Sequence, residues 1–400
     1  MDRTRAADGP NVWAETKVHY NRGVLCFGMG LFGSCSRNRP FLFGQWAKRK
    51  EKKEKIMQRK NAAAICLTLC AALLCACGGA VPTAETQSAG STVSGTSESA
   101  EAYPVTVTNY NYAGEEVSYT YTQAPERVVA VYQGSIETMI ALGLEDHVIA
   151  SYGLDNEVKE EWQAGFADMN YQESVFAPDK ETVTLLQPDM ILSWGSLFSD
   201  KMLGDVSYWN EKGVATYMNS NTRPGTHART LENEYTDILN LGRIFGVEER
   251  AAAIVEEMQS KINQTLAAVQ GNAPVRVAVV EPMGSTISNY GANTLAGDMV
   301  TQLGGTLVHP DGNEISKEDL LACDPDVIFV VYMAYSGDDP ERVKADQLAV
   351  IESDPALSSL SAVKNRRVCL VMLGDIYAAG PRAMDGISTL AAGMHPEYAA

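Results

Sequence analysis

A chain of 400 residues has room for two ordinary domains with cores of their own. The formal charge is −18 at pH 7, and it is unevenly spread: residues 1–76 carry 14 Lys+Arg against 5 Asp+Glu, leaving 18 against 45, a net of −27, for the remainder. So acidic a body makes nucleic acid a poor partner, because phosphate binding needs a basic footprint.

The first readable element is a secretory signal over residues 57–76. Arg59 and Lys60 give a basic start, an apolar run follows from Ala62 to Leu74, and the run is too short to span a bilayer as a permanent helix. Leu74-Cys75-Ala76-Cys77 resembles a bacterial lipobox, which makes Cys77 the expected lipidation site and lipid chains the expected membrane anchor. Signal peptides begin at or near the N-terminus, so Met57 is the expected start. Residues 1–56 are then expected to be a leader, untranslated or disordered. Residues 77–102 are rich in Gly, Ser and Thr with few large apolar side chains, the composition of a flexible linker. Six of the eight cysteines lie at or before residue 77; Cys323 and Cys369 sit in apolar surroundings and are expected as buried free thiols, with a disulfide between them left open.

From about residue 103 short apolar runs alternate with helical periodicity. Val128–Val131, Val148–Ala150, Met190–Leu192 and Ala215–Met218 read as strands, and Ile136–Leu142 as a helix closed by Gly143. The pattern defines an N-terminal α/β lobe over 103–230. Linking helices are expected over 231–271. Apolar positions 251, 254, 255, 258, 262, 266 and 269 mark one face of a long helix, broken from the preceding helical run at Gly246 and ended at Gly271. A C-terminal α/β lobe over 272–400 repeats the grammar. Its strands are Val275–Val280, Val327–Val331 and Val368–Met372, and Asn293–Leu303 is a helix ending at Gly304-Gly305. The fold class is therefore α/β, two Rossmann-like lobes joined by one long backbone helix.

Two phrases, KETVTLLQPDMI and KEDLLACDPDVI, lie 137 positions apart. In each, a Pro-Asp pair begins seven positions after the glutamate, and an apolar run follows. Each reads as a short helix feeding a strand: Asp179 and Ser316 are placed to cap, Ser316 to Asp319 resembles a capping box, and proline stops the helix. Glu181 and Glu318 fall in the first turn. The helix dipole alone favours an acid there, by roughly 0.3–1 kcal/mol, but does not require the same acid at the same offset in both halves.

With PERVVAVYQGSIETMIALGL, the two repeated phrases and the closing run from SAVKNRRVCLV through GPRAMDGISTLAAGMHPE, residues 103–400 resemble the substrate-binding proteins of ABC importers for iron–siderophores, haem and cobalamin. The resemblance implies a receptor on the extracytoplasmic face of the cell membrane that delivers a chelated metal to an ABC permease dimer. It also implies that Glu181 and Glu318 dock onto arginines of the two permease subunits. An iron–siderophore is favoured over haem or a corrinoid. A scavenging or sensing lipoprotein without a permease is the alternative.

The resemblance further implies a ligand cleft between the lobes, and residues just past the apolar runs are the candidates for it: Tyr132, Gln133, Trp194, Met283, Tyr290, Tyr332, Tyr335, Tyr377 and Arg382. Aromatics suit a flat or bulky ligand, and Arg382 suits a carboxylate or catecholate. His147, His227, His309 and His395 are scattered, so no direct metal site is expected. No G-x-S-x-G, H-E-x-x-H, Walker A or dinucleotide glycine pattern occurs, so neither catalysis nor a resident cofactor is expected.

Overall fold

A computed structural model describes residues 103–398, which fall within one compact unit, Ser94–Ala400. The leader, the signal peptide, Cys77 and the linker lie outside the described residues. Strands β1 (Val105–Tyr110) and β2 (Glu116–Tyr121) form an antiparallel hairpin. The first lobe then runs β3 (Val128–Val131), α1 (Gln133–Leu142), β4 (Val148–Tyr152), α2 (Lys180–Leu186), β5 (Met190–Ser193) and β6 (Ala215–Met218). Its strands are all parallel, in the order β4-β3-β5-β6. Every residue of β3, β5 and β6 is buried, as expected of parallel strands covered on both faces. Helix α1 starts three residues before Ile136. All ten of its residues are buried, so it has no polar face to mark its start in the sequence.

The connection between the lobes is a helix pair, α3 (Leu231–Phe245) and α4 (Glu248–Ala268). They are separated at Gly246, which takes the left-handed conformation (φ 69°) and donates its N–H to the Gly242 carbonyl. Helix α4 has 21 residues and a length of about 31 Å. It buries Ala251, Val255, Met258, Ile262 and Thr265, one stripe at alternating spacings of four and three. Near its first turn Arg250 Nε donates to the Ala141 carbonyl at the end of α1 (2.7 Å), and near its last turn Leu266 lies against Gly304 of the second lobe. One helix thus touches both lobes, as the long backbone helix was expected to. Helix α3 is a second brace: Asp237 accepts from Tyr217 of β6 (2.9 Å), while the Leu231 N–H donates to Asp298 of the second lobe (2.7 Å).

The second lobe runs β7 (Arg276–Met283), β8 (Thr286–Asn289), α5 (Leu295–Gln302), β9 (Thr306–Leu307), α6 (Lys317–Cys323), β10 (Val327–Tyr332), α7 (Pro340–Glu352), β11 (Val368–Met372) and α8 (Ala383–Met394). Its parallel path, β9-β7-β10-β11, has the same order as β4-β3-β5-β6, with β8 added antiparallel to the end of β7. The lobes are therefore topological copies.

The doubled phrase is where the copying is closest. Asp179 accepts from the Thr182 N–H (2.8 Å), and Ser316 forms a full capping box with Asp319. Both helices end on a residue in the left-handed region, Gln187 (φ 49°) and Asp324 (φ 41°). In both lobes the aspartate of the Pro-Asp pair accepts backbone N–H groups at the start of the first parallel strand: Asp189 from Glu126 and Arg127, Asp326 from Arg276. In both, the arginine side chain turns back onto the carbonyls at the end of the repeated helix, Arg127 onto Leu186 and Gln187, Arg276 onto Cys323 and Asp324. A cation there satisfies carbonyls that the helix leaves unpaired and opposes the negative end of its dipole. Cys323 and Cys369 are free thiols, and both are half-buried rather than fully buried.

Candidate functional site

In a sheet ordered 2-1-3-4 the connections leave the first and third strands in opposite directions, and a crevice opens beyond their C-terminal ends. In the first lobe those strands are β3 and β5, and the residues next in line are Tyr132 and Trp194. Their rings stand 5.0 Å apart. Phe176 extends the row on one side, 5.7 Å from Tyr132, and Tyr377 of the second lobe extends it on the other, 5.8 Å from Trp194. The Arg229 guanidinium, on the segment between β6 and α3, covers Tyr377 at 4.5 Å. A continuous aromatic wall thus crosses from one lobe to the other and ends in a cation.

Tyr132 holds a backbone conformation (φ 73°, ψ 157°) that belongs almost wholly to glycine and costs roughly 1–3 kcal/mol. The strain aims its ring between Gly153 and Trp194, where it is 4% exposed. The indole N–H of Trp194 is buried without an acceptor among the described residues. It faces Gly134 of α1, where the lobes approach tightly: a methyl group on Gly134 would stand 2.6 Å from the Ala378 carbonyl oxygen.

Beneath this wall lies a charged layer. Arg382, expected as a ligand cation, is buried and spent on the protein itself. Its Nε and Nη2 donate to both oxygens of Glu137 on α1 (2.5 and 2.7 Å), and Nη2 also reaches the Glu157 carbonyl (2.9 Å). Glu137 has no exposure at all. Burial pushes its carboxyl up while Arg382 draws it down, and the fork geometry keeps the guanidinium firmly cationic. Gln133 belongs to the same layer: its amide donates to Glu137 (2.6 Å) and its oxygen accepts from the Asp155 and Asn156 N–H groups. Arg382 braces the lobes from behind the cleft, and Gln133 steadies its partner Glu137 within the first lobe, roles invisible in the sequence. Further ties run between Lys159 and Asp385 (2.8 Å), the Gly380 N–H and Glu234 (2.8 Å), and the Ser336 N–H and the Asp155 carbonyl (3.0 Å).

Asp375 lies beside the guanidinium, 3.6 Å from Arg382 Nη1. Burial, reinforced by Asp385 and Glu137 and only partly opposed by Arg382, raises its pKa to about 7. Asp237 on α3 is also raised to about 7, by burial and by Glu234. A carboxyl whose folded pKa lies above its ordinary value binds more protons when folded. Its stabilising contribution is full below about pH 4 and is lost as pH rises through 7. Urea midpoints are therefore expected to fall between pH 5 and pH 8, and Asp375→Asn is expected to remove a substantial part of that fall; an unchanged pH slope in the variant contradicts the assignment.

The remaining candidates are dispersed. Tyr290 is buried and donates to Glu281 (2.8 Å); both pKa values are raised by burial. Tyr332 is half-buried with Lys344 5.7 Å from its ring, whereas Met283 and Tyr335 are 49% and 45% exposed. The structure thus brings Tyr132, Trp194 and Tyr377 together and places Tyr290 near them, since the charges of Tyr377 and Arg229 act on its hydroxyl. Sequence reasoning missed Phe176, Glu137 and Arg229. The available signal for Arg229 was local: Arg223, His227 and Arg229 within seven residues of an otherwise acidic lobe, just past a buried strand.

A model of the family described as "Periplasmic binding protein" matches residues 128–371, and the chain belongs to that family. It is an extracytoplasmic substrate-binding protein of ABC transporters, related to the iron–siderophore and cobalamin receptors, and not an enzyme. Among solved structures, a periplasmic binding protein from Veillonella parvula is 31% identical, with a TM-score of 0.69 over 73% of this chain and 92% of that one. Two proteins of Bacillus subtilis are also similar. The uncharacterized ABC transporter substrate-binding lipoprotein YvrC is 23% identical over 83% of this chain and 96% of its own length. The petrobactin-binding protein YclQ is 24% identical over 64% and 77%.

Proposed function

We propose that the protein is a lipid-anchored receptor on the outer face of the cell membrane that captures a metal chelate, an iron–siderophore before haem or a corrinoid, and hands it to a dimeric ABC permease. The observation that carries the permease half of this reading is what Glu181 and Glu318 do not do. Each stands exposed in the first turn of a repeated helix, and neither carboxylate has a hydrogen bond or ion pair among the described residues. Their charged neighbours all have structural work: Asp179 and Asp319 cap, Lys317 pairs with Asp354 (2.5 Å), and Lys180 covers the Tyr208 ring at 3.3 Å. A helix that feeds a parallel strand starts at the C-terminal edge of its sheet. Both glutamates therefore sit at the edge that also carries the cleft, one per lobe. Two unspent acids related by the internal repeat suit a partner with two equivalent basic sites, and charge-assisted pairs give register as well as attraction.

The chelate half rests on the aromatic wall and on the relatives. No cluster of three or more His, Cys, Asp or Glu capable of holding a bare ion occurs among the described residues. Anchoring through Cys77 places the cleft outside the membrane; no helix among the described residues is long and apolar enough to cross one. Native mass spectrometry of the purified chain against ferric siderophores, haem and cobalamin tests the reading, and retention of none of them would overturn it. Trp194→Ala is expected to weaken the retained chelate by about ten-fold or more, the loss of one stacked aromatic anchor. Unchanged titration curves would remove Trp194 from the site.

A further inference from the structure

Asp155 follows β4 at the C-terminal edge of the first sheet, where the loops after β4 and β10 meet, and its side chain has no structural duty. The backbone there is bonded on both sides: the Asp155 N–H donates to Gln133 Oε1 (3.2 Å), and its carbonyl accepts from the Ser336 N–H of the second lobe (3.0 Å). The carboxylate is half-buried, caps no helix and has no hydrogen bond or ion pair among the described residues. The titratable groups that face it are the phenols of Tyr132 and Tyr171, and no Lys, Arg or His is among them. The bases nearby are taken up elsewhere: Lys159 by Glu161 and Asp385, Arg382 by Glu137, and Arg229 and Arg223 by the rings of Tyr377 and Tyr110. Burial raises the Asp155 pKa to about 6, which leaves it largely ionised at neutral pH. The next residue, Asn156, is 5% exposed; its Oδ1 has no donor among the described residues, while Nδ2 meets Met333 Sδ of the second lobe (2.9 Å). Two successive acceptors at the junction of the lobes thus lack donors, and each bears the cost of burial without a partner.

We propose that Asp155, at the Tyr132 end of the aromatic wall, is a subsite for a positively charged arm of the cargo, a protonated amine, so that the receptor prefers chelates that carry one. The inference rests on the chelate-receptor reading above and deepens it. An alkylammonium brings a charge opposite to that of the carboxylate and three donors, which suits a place short of donors. The wall itself favours a cation, because the faces of Tyr132, Phe176 and Trp194 carry the negative side of the ring quadrupole. The region outside the first 76 residues has a net charge of −27, which draws a cationic ligand from a distance. A carboxyl held up by burial is restored to its charged form when a cation arrives beside it, so affinity for the amine is greatest where Asp155 is already ionised.

The test uses tryptophan-fluorescence titrations of the full chain with two matched pairs of probes. Ferrioxamine B, whose arm ends in an ammonium, is set against its N-acetyl derivative, and an aminoalkyl carbamate of cyanocobalamin against cyanocobalamin itself. Within each pair the metal core is shared and one positive charge is removed. In the pair that binds more tightly, the amine probe is expected to bind at least about ten-fold more tightly than its neutral partner at about pH 7.5. At about pH 5 that preference is expected to shrink to about two-fold, because the carboxyl takes up a proton while the ammonium keeps its own. Asp155→Asn is expected to abolish both the preference and its pH dependence while the neutral probe binds as before, and Asp155→Glu to keep part of the preference. No amine preference in that pair, or one that survives Asp155→Asn, would overturn the inference while leaving the receptor reading in place. So would retention of haem or an amine-free ferric siderophore in native mass spectrometry when neither pair binds. Failure of every probe in both assays would overturn both. The ranking and pH profile of the unaltered protein decide the matter even if the Asp155 variants do not fold.

Discussion

Arg382→Met is expected to lower the free energy of unfolding by about 3–5 kcal/mol, the cost of leaving a buried acid without its partner. Glu137 is wholly buried on α1, and once Arg382 is gone only the Gln133 amide still donates to its carboxylate. The same guanidinium carries the Glu157 carbonyl and lies beside Asp375, so three groups lose a donor or a counter-charge together. Because α1 belongs to one lobe and Arg382 to the other, the loss falls on the contact that sets their separation. A second change, Glu137→Met in the Arg382→Met background, is expected to recover part of the loss, since a pair replaced by apolar groups of similar volume leaves no buried charge. It cannot recover all of it, because the Glu157 carbonyl and Asp375 remain unserved. Urea titration of the two variants measures both steps. A loss below about 1 kcal/mol for Arg382→Met would show that the pair is dispensable, and would return Arg382 to the list of groups free to meet a ligand.

Reversing both unspent acids, Glu181→Arg with Glu318→Arg, is expected to reduce delivery to the permease by about a thousand-fold or more while chelate affinity stays as it was. Truncating one partner of a close interfacial charge pair costs about 2–5 kcal/mol, and reversal adds repulsion. Two sites on separate lobes with no shared partner add their losses, so each single reversal is expected to lower delivery by about thirty-fold or more. Neither side chain supports the fold, since capping belongs to Asp179 and to Ser316 with Asp319, so unfolding midpoints should move little. Transport into vesicles containing the cognate permease reads the effect. Undiminished uptake by the double variant would remove both glutamates from docking, and uptake that does not depend on the unaltered protein would favour a scavenging lipoprotein over an importer component.

Much of the fold was legible because its strands are buried on both faces. A run such as Val128–Val131 or Val327–Val331 has no polar residue to blur it, and Gly246 breaks the helix pair where the sequence says it should. The β1–β2 hairpin was not legible as strands. Its exposed face is made of Thr106, Thr108, Glu116, Ser118 and Thr120 and continues the polar composition of the preceding linker. Nor was the added strand β8, whose four residues lie between Gly284 and Gly291 and read as a turn. In the cleft, position after a strand identified Tyr132, Trp194 and Tyr377 as neighbours of the crevice, but it could not separate a residue facing the crevice from one facing the opposite lobe. Gln133 and Arg382 satisfy the same positional rule and turn away.

The amino-acid order by itself determined the two lobes and the doubled glutamate, because each depends on local periodicity, capping and a repeat that can be read along one dimension. Only the tertiary structure decided which charges remain available. Arg382 lies 245 positions from Glu137 and Arg229 148 positions from Tyr377, and an ion pair or a stacked cation is fixed by distances of a few ångströms between segments that only the packing of two lobes brings together.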